Sequence, residues 1–209
     1  AYILSIISNY KEKSMGAEEY KRHVEENYKT KIIYKVFKSY DETLKKNNAM
    51  DFDDLLLQTN ILLRDAGEVL AQYQDRFKYI LVDEYQDTNM AQYILVRRLA
   101  LKHSNVCVVG DDAQSIYGFR GAKIENILNF KKDYPTHHIF RLEQNYRSTQ
   151  VIVNAANSVI ERNSSRIPKE CYSKGEEGEK IRLIQAYTEQ EEALLIASAI
   201  VGRIHSESA

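Results

Sequence analysis

Four apolar residues, Tyr79-Ile80-Leu81-Val82, run straight into Asp83-Glu84-Tyr85-Gln86-Asp87-Thr88-Asn89, so a stretch suited to burial ends in three carboxylates within five positions. A continuous apolar run of this length reads as a strand covered on both faces, the kind found in parallel sheets. Parallel α/β sheets bind ligands beyond the carboxyl ends of their strands, which is where Asp83 and Glu84 fall. Neighbouring residues leaving a strand point to opposite sides, so one carboxylate can hold a metal ion while the other faces a different atom of the same substrate. A second run, Asn105-Val106-Cys107-Val108-Val109, stops at Gly110-Asp111-Asp112-Ala113-Gln114, and the segment between them, Asn89 to Ala100, has helical spacing. Strand, helix and strand at this separation predict a parallel βαβ unit that delivers both polar loops to one edge.

Composition excludes more than it selects. The chain has 209 residues, 44% of them apolar and 28% charged, which is ordinary for a soluble globular protein. A formal charge of −1 offers no global attraction to nucleic acid or acidic membranes, so any DNA contact must come from a local surface. Cys107 and Cys171 match no metal spacing and imply no disulfide framework, which fits a reducing, cytoplasmic setting. No apolar run approaches the ~18 residues of a membrane span. The opening Ala1-Tyr2-Ile3-Leu4 has neither a basic region nor an initiator Met, and the chain reads as an excised piece.

Charge shifts along the chain suggest how it is organised. Residues 1–48 hold ten Lys/Arg against seven Asp/Glu, whereas 49–89 hold three against nine, which predicts a boundary near Asn47-Asn48. Apolar residues from Ala17 to Lys46 recur at helical spacing, giving one or two amphipathic helices with interleaved Tyr and Lys. That interleaving suits either a DNA-facing surface or a solvated helical face. Asp51 and Asp54 cap a helix that Gly67 ends, and a shorter helix over 68–77 leads into the strand. Further on, the pattern predicts a helix over 122–132, a strand over 137–142, a helix over 149–161 with Ser148 as its N-cap, a loop over 163–180, a strand over 180–186, and a helix over 188–204 opened by Thr188 and Glu191.

Two loops carry further chemistry. In Gly110 to Ala122, Gln114 can reach a phosphate or a water, and Tyr117, Phe119 and Arg120 place two aromatics and a cation within four residues, a combination suited to stacking on unpaired bases. In Gln144-Asn145-Tyr146-Arg147-Ser148-Thr149, Arg147 sits just before a helix N-terminus, a place that favours anions, beside the planar Tyr146.

Taken in order, Asp83-Glu84-Tyr85-Gln86-Asp87, the Gly110 to Ala122 loop, and Gln144 to Thr149 resemble motifs II, III and IV of the UvrD/PcrA/Rep-type helicases of superfamily 1. The resemblance runs from Met50 to the end of the chain. It implies an α/β fold: a partial RecA-like P-loop NTPase sheet, with an N-terminal helical subdomain and the start of a second RecA-like domain. Residues 1–48 would be a helical accessory subdomain, 49–138 the C-terminal half of the first RecA-like domain, and 139–209 the start of the second. It further implies an ATP-dependent 3′ to 5′ DNA helicase that translocates on single strands, with ATP and Mg²⁺ as cofactors and single-stranded or partly duplex DNA as partner. Asp83 would hold Mg²⁺, Glu84 would deprotonate the attacking water, and Gln114 would sense the γ-phosphate with Arg120 in support. Tyr146 would stack on adenine, and Arg147 would be an arginine finger. Tyr117 and Phe119 would face single-stranded DNA, with Phe119 where the family commonly has Trp.

One family element has no counterpart: no Gly-Lys-Ser/Thr phosphate loop occurs among the 209 residues. The loop would precede residue 1, so the piece is expected to hold half an ATP site and to be inactive alone. Two other readings compete. Asp83, Glu84, Asp87, Asp111 and Asp112 could cluster around two ions in a metal-dependent nuclease. The chain could also be a non-catalytic DNA-binding module.

Overall fold

The computed structural model describes residues 2–207, which divide into two compact units: Ala1–Phe140 with Ser165–Pro168, and Arg141–Ser164 with Lys169–Ala209. The first unit begins with α1 (Tyr2–Lys11), α2 (Ala17–His23) and α3 (Tyr28–Lys46). The expected amphipathic stretch is thus two helices, separated where Asn27 turns extended and its side chain caps α3 by accepting from Thr30 N–H at 3.0 Å. An apolar cluster of Ile7, Ala17, Tyr20, Ile33 and Phe37 joins these three helices, with Tyr10 edge-on to Tyr20 at 4.7 Å. The preceding helix, α1, has no counterpart in the sequence-based expectations.

α4 (Phe52–Asp65) is capped as expected: Asp51 accepts from Asp54 N–H at 2.7 Å. It ends one residue before Ala66, and Gly67 is the first residue of α5 (Gly67–Arg76) instead of a terminator. Beneath these caps lies a charged cluster. Lys11 is 0% exposed, and its ammonium meets Asp54 at 2.8 Å, Asp51 at 2.9 Å and Asp41 at 3.3 Å. Burial alone would lower the Lys11 pKa, but hydrogen bonds to Asp54 and Asp51 and the charge of Asp41 outweigh it, so the net shift is upward. α1, α3 and α4 are therefore fastened by one buried cation shared among three carboxylates, and removing it would strand the buried Asp54 and the half-buried Asp41 and Asp51.

β1 (Ile80–Val82), α6 (Met90–Ala100) and β2 (Val106–Val108) form the expected parallel unit, with Ile80 opposite Val106, Leu81 opposite Cys107 and Val82 opposite Val108. The Asn60 side chain, buried on α4, donates to Ala91 O at 2.8 Å, and the Asn60 main-chain carbonyl accepts from the Arg98 guanidinium, which fixes α6 against α4. One expectation fails here. The strands are not covered on both faces: Leu81 is 78% exposed, and Tyr79, Cys107 and Val109 are exposed with it. Among the described residues the helices cover one face only, so the apolar run records a demand for burial that they do not meet.

The stretch expected as one helix over 122–132 is two short turns, α7 (Glu125–Leu128) and α8 (Phe130–Asp133), broken at Asn129 (φ −94°, ψ 2°). In the second unit, β3 (Gln144–Asn145) pairs in parallel with β4 (Tyr172–Ser173), and α9 (Gln150–Ile160) is preceded by Thr149 at the cap position where Ser148 was expected. The strands expected over 137–142 and 180–186 do not form. Strand geometry needs a hydrogen-bonding neighbour, and among the described residues none lies beside either segment. Arg182, Leu183, Ile184 and Ala186 instead line an apolar groove of about 470 Å³ with α10 (Glu189–Glu207). Thr188 accepts from Glu191 N–H at 3.1 Å as a cap for α10, and the Glu191 carboxylate reaches back to Tyr187 N–H at 2.8 Å.

Candidate active site

Both loops of the first unit leave their strands at the same end of the sheet, stitched together by Val109 N–H to Val82 O at 2.8 Å and Tyr85 N–H to Val109 O at 3.0 Å. Asp83 is exposed, and its Oδ1 accepts from Glu84 N–H at 2.9 Å. Glu84 is exposed in the left-handed region (φ 49°, ψ 41°), which non-glycine residues adopt rarely. The chain then makes a single 3-10 turn, Tyr85–Asp87, pinned by the buried Tyr85 ring edge-on to Phe130 at 5.9 Å. Burial pushes the Tyr85 phenol well up, so the ring serves as packing.

Sequence reasoning passed over Gln86. Its side chain is 1% exposed and donates to Glu84 Oε2 at 2.8 Å and to Asp87 Oδ2 at 3.2 Å, while its carbonyl accepts from Asp111 N–H at 3.0 Å. Asp111 Oδ2 in turn accepts from Gln114 Nε2 at 2.8 Å. Glu84 and Gln114 therefore belong to one hydrogen-bonded chain. Gly110 makes this possible: a Cβ there would stand 2.6 Å from Gln86 Oε1. The available signal for Gln86 was an amide set between two carboxylates at a strand end, which has enough donors to serve both.

Tyr117, Phe119 and Arg120 come together as a separate group. The two rings lie 6.1 Å apart, and the Arg120 guanidinium packs over both, at 5.5 Å and 5.4 Å. Phe119 is 79% exposed, so one aromatic face stays open to solvent. The loop closes at Gly121, whose φ of 80° favours glycine and where an added Cβ would collide with the Glu12 carboxylate.

In the second unit, Asn145 Oδ1 accepts from the N–H groups of Arg147 at 2.9 Å and Ser148 at 2.8 Å, which turns the chain into α9. Tyr146 and Arg147 are thereby presented outward, Tyr146 at 88% exposure. They line a cavity of about 370 Å³ with Asn145, Ser148, Lys174 and Gly175.

The carboxylates expected to gather around two ions do not do so. Asp87 and Glu84 share the Gln86 amide, Asp112 is buried and accepts from Ile167 N–H at 2.9 Å, and among the described residues no three metal-ligating side chains converge. The arrangement suits a single Mg²⁺ better, because that ion takes one or two protein carboxylates and fills its remaining positions with waters and phosphate oxygens. Asp83, exposed at the strand end, meets that requirement.

Residues 1–135 match the UvrD/REP helicase N-terminal domain, and residues 140–207 match the UvrD-like helicase C-terminal domain. The chain belongs to the UvrD/REP helicase family. It is 51% identical over 175 residues to the ATP-dependent DNA helicase PcrA of Staphylococcus aureus, covering 84% of this chain and 24% of that one. To the PcrA of Leuconostoc citreum it is 46% identical over 198 residues, 95% of this chain and 26% of the other. To that of Staphylococcus epidermidis it is 46% identical over 211 residues, 99% and 29%. The chain thus spans about a quarter of the length of these relatives. No described helix is long and apolar enough to cross a membrane.

Proposed function

We propose that this chain contributes the carboxylates, the sensing glutamine and the arginine of an ATP-driven DNA helicase that moves 3′ to 5′ along single strands. One observation carries the reading: the continuous hydrogen-bonded path from Glu84 through Gln86 and Asp111 to Gln114, at the carboxyl ends of two parallel strands. It supports a RecA-like arrangement for residues 49–138; on the same reading residues 1–48 are an accessory helical subdomain and 139–209 open a second α/β domain.

MgATP, when bound, supplies the phosphoanhydride bond whose hydrolysis drives movement. Asp83, exposed at the strand end, would hold the metal ion. Glu84 would take the proton of the attacking water, with its Oε2 committed to Gln86. Gln114 reports occupancy of the γ-phosphate position, and Arg120 steadies the loop from the aromatic side. Tyr146 offers a flat, exposed face for adenine, and the neighbouring Arg147 neutralises charge developing on the phosphoryl oxygens. Tyr117 and Phe119 stack on bases of the tracked strand.

The 209-residue chain contains no Gly-Lys-Ser/Thr, so by itself it is expected not to turn over ATP. The test uses the full-length product of the gene on partial duplexes bearing either a 3′ or a 5′ single-stranded tail. ATP-dependent separation of the 3′-tailed duplex alone is the expected result. Separation of only the 5′-tailed substrate would overturn the polarity, and DNA cleavage with Mg²⁺ and no nucleotide would favour the nuclease reading instead.

A further inference from the structure

We infer that Gln86 is a positioning residue that makes the placement of Glu84 depend on the placement of Gln114. The inference rests on the roles just given to those two side chains. Every polar atom of the Gln86 amide is used: both N–H groups serve carboxylate oxygens, of Glu84 at 2.8 Å and Asp87 at 3.2 Å, and the carbonyl holds Asp111 N–H at 3.0 Å. The orientation of the amide is fixed by its partners, because an ionised carboxylate only accepts and a backbone N–H only donates. Its main chain is held as well, since Ser115 Oγ donates to Gln86 O at 3.3 Å.

What this amide holds is not a relaxed turn. Glu84 keeps its left-handed backbone (φ 49°, ψ 41°), a conformation that persists only where the surroundings over-determine it. On the other side, Asp111 has two jobs in one residue. Its N–H is fixed by Gln86, and its carboxylate takes the Gln114 amide at 2.8 Å while also accepting Ala113 N–H at 2.9 Å. When Gln114 turns toward a phosphate it gives up or shares its bond to Asp111 Oδ2. The resulting shift of the Asp111 backbone passes through a buried, fully satisfied amide that has no slack to absorb it. The far end of that amide is Glu84 Oε2. Close packing keeps the link short: with any side chain at position 110, the second strand could not approach Gln86 at this distance.

A buried glutamine could instead merely stabilise its turn, and the experiment separates the two roles. In the full-length product of the gene, Gln86→Met removes both donors and the acceptor at similar volume, and Gln86→Glu keeps the acceptor for Asp111 while replacing the donors to Glu84. Each is expected to lower kcat for DNA-stimulated ATP hydrolysis by roughly 10–100-fold, the scale of a misplaced catalytic group, with KM for ATP little changed. The decisive readout is a double-variant cycle with Gln114→Ala. If Gln86 relays position, the losses do not multiply, and the double variant lies within about twofold of the poorer single. Losses that multiply, or wild-type kcat in Gln86→Met, overturn the inference. Should Gln86→Met show no cooperative thermal transition, the same cycle with Gln86→Glu carries the test. Glu84→Gln keeps the two levels apart. If it abolishes turnover while Gln86→Met turns over at the unsubstituted rate, the relay falls and the base assignment stands. If it leaves turnover intact, the base assignment falls, whatever Gln86 does.

Discussion

The strand-end site of the first unit and the Tyr146-Arg147 stretch of the second are built on opposite plans. In the first, side chains hold side chains: Gln86 is buried and bonds Glu84, Asp87 and the Asp111 backbone, and a left-handed residue is kept in place. In the second, only the backbone is held. Asn145 fixes the N–H groups of residues 147 and 148, and the Tyr146 ring stands almost fully in solvent. A group held in advance is in place before substrate arrives, whereas an exposed one must be ordered when substrate binds or the site closes around it. Under the proposed roles, Glu84 on its held backbone prepares the water and the exposed Arg147 contributes late, to the developing charge.

The contrast breaks most visibly at Arg147. Arg147→Ala in the full-length product is expected to reduce ATP turnover by ~10³-fold or more, the range for an arginine finger. The loss should fall on kcat with KM nearly unchanged. A rise in KM alone would make Arg147 a ground-state binding residue and remove the distinction between the two regions.

Next in size is the foundation of the first unit. Lys11→Ala leaves Asp41, Asp51 and Asp54 with no shared cation and is expected to destabilise this unit by about 3–5 kcal/mol, readable as a lowered denaturation midpoint. An unchanged midpoint would mean that the carboxylates are neutralised by other means. The same cluster gives a pH expectation. Burial would raise Asp51, but hydrogen bonds from Lys11, Asp54 N–H and Tyr40 bring it below its ordinary value of 3.8. A depressed carboxylate stabilises the fold above its unfolded pKa and loses that contribution as pH falls through the folded one. Asp51→Asn should therefore flatten the stability curve below about pH 4 and leave its slope near neutrality unchanged.

Smaller again is the open aromatic face. Phe119→Ala is expected to weaken single-strand binding by roughly 1–3 kcal/mol at fixed salt. Phe119→Trp should strengthen it modestly, because a larger ring presents more stacking area. A titration midpoint that does not move in either variant would detach Phe119 from DNA contact.

The βαβ unit and the convergence of its loops could be read from the sequence because apolar runs, spacing and strand-end polarity all point the same way. The segments over 137–142 and 180–186 could not. Ile139, Phe140 and Leu183 carry a strand-like apolar pattern yet stand exposed, since pattern reports a preference for burial and a strand also needs a neighbour. Lys11 was hidden for the converse reason. No helix was expected around Lys11, and its three partners, at positions 41, 51 and 54, are remote from it in sequence, the last two reading as helix caps. Gln86 lay between residues that drew attention for their charge, and a neutral amide gains its role only when burial makes every donor count.

The central claim is that Glu84, held from one oxygen by Gln86, is the group that activates the attacking water. Steady-state ATP turnover of Glu84→Gln in the full-length product, measured with saturating single-stranded DNA, tests it directly. The expected result is a loss of about 10²–10⁴-fold with nucleotide binding retained, since the amide keeps the shape and loses the base. Turnover at the unsubstituted rate would contradict the account.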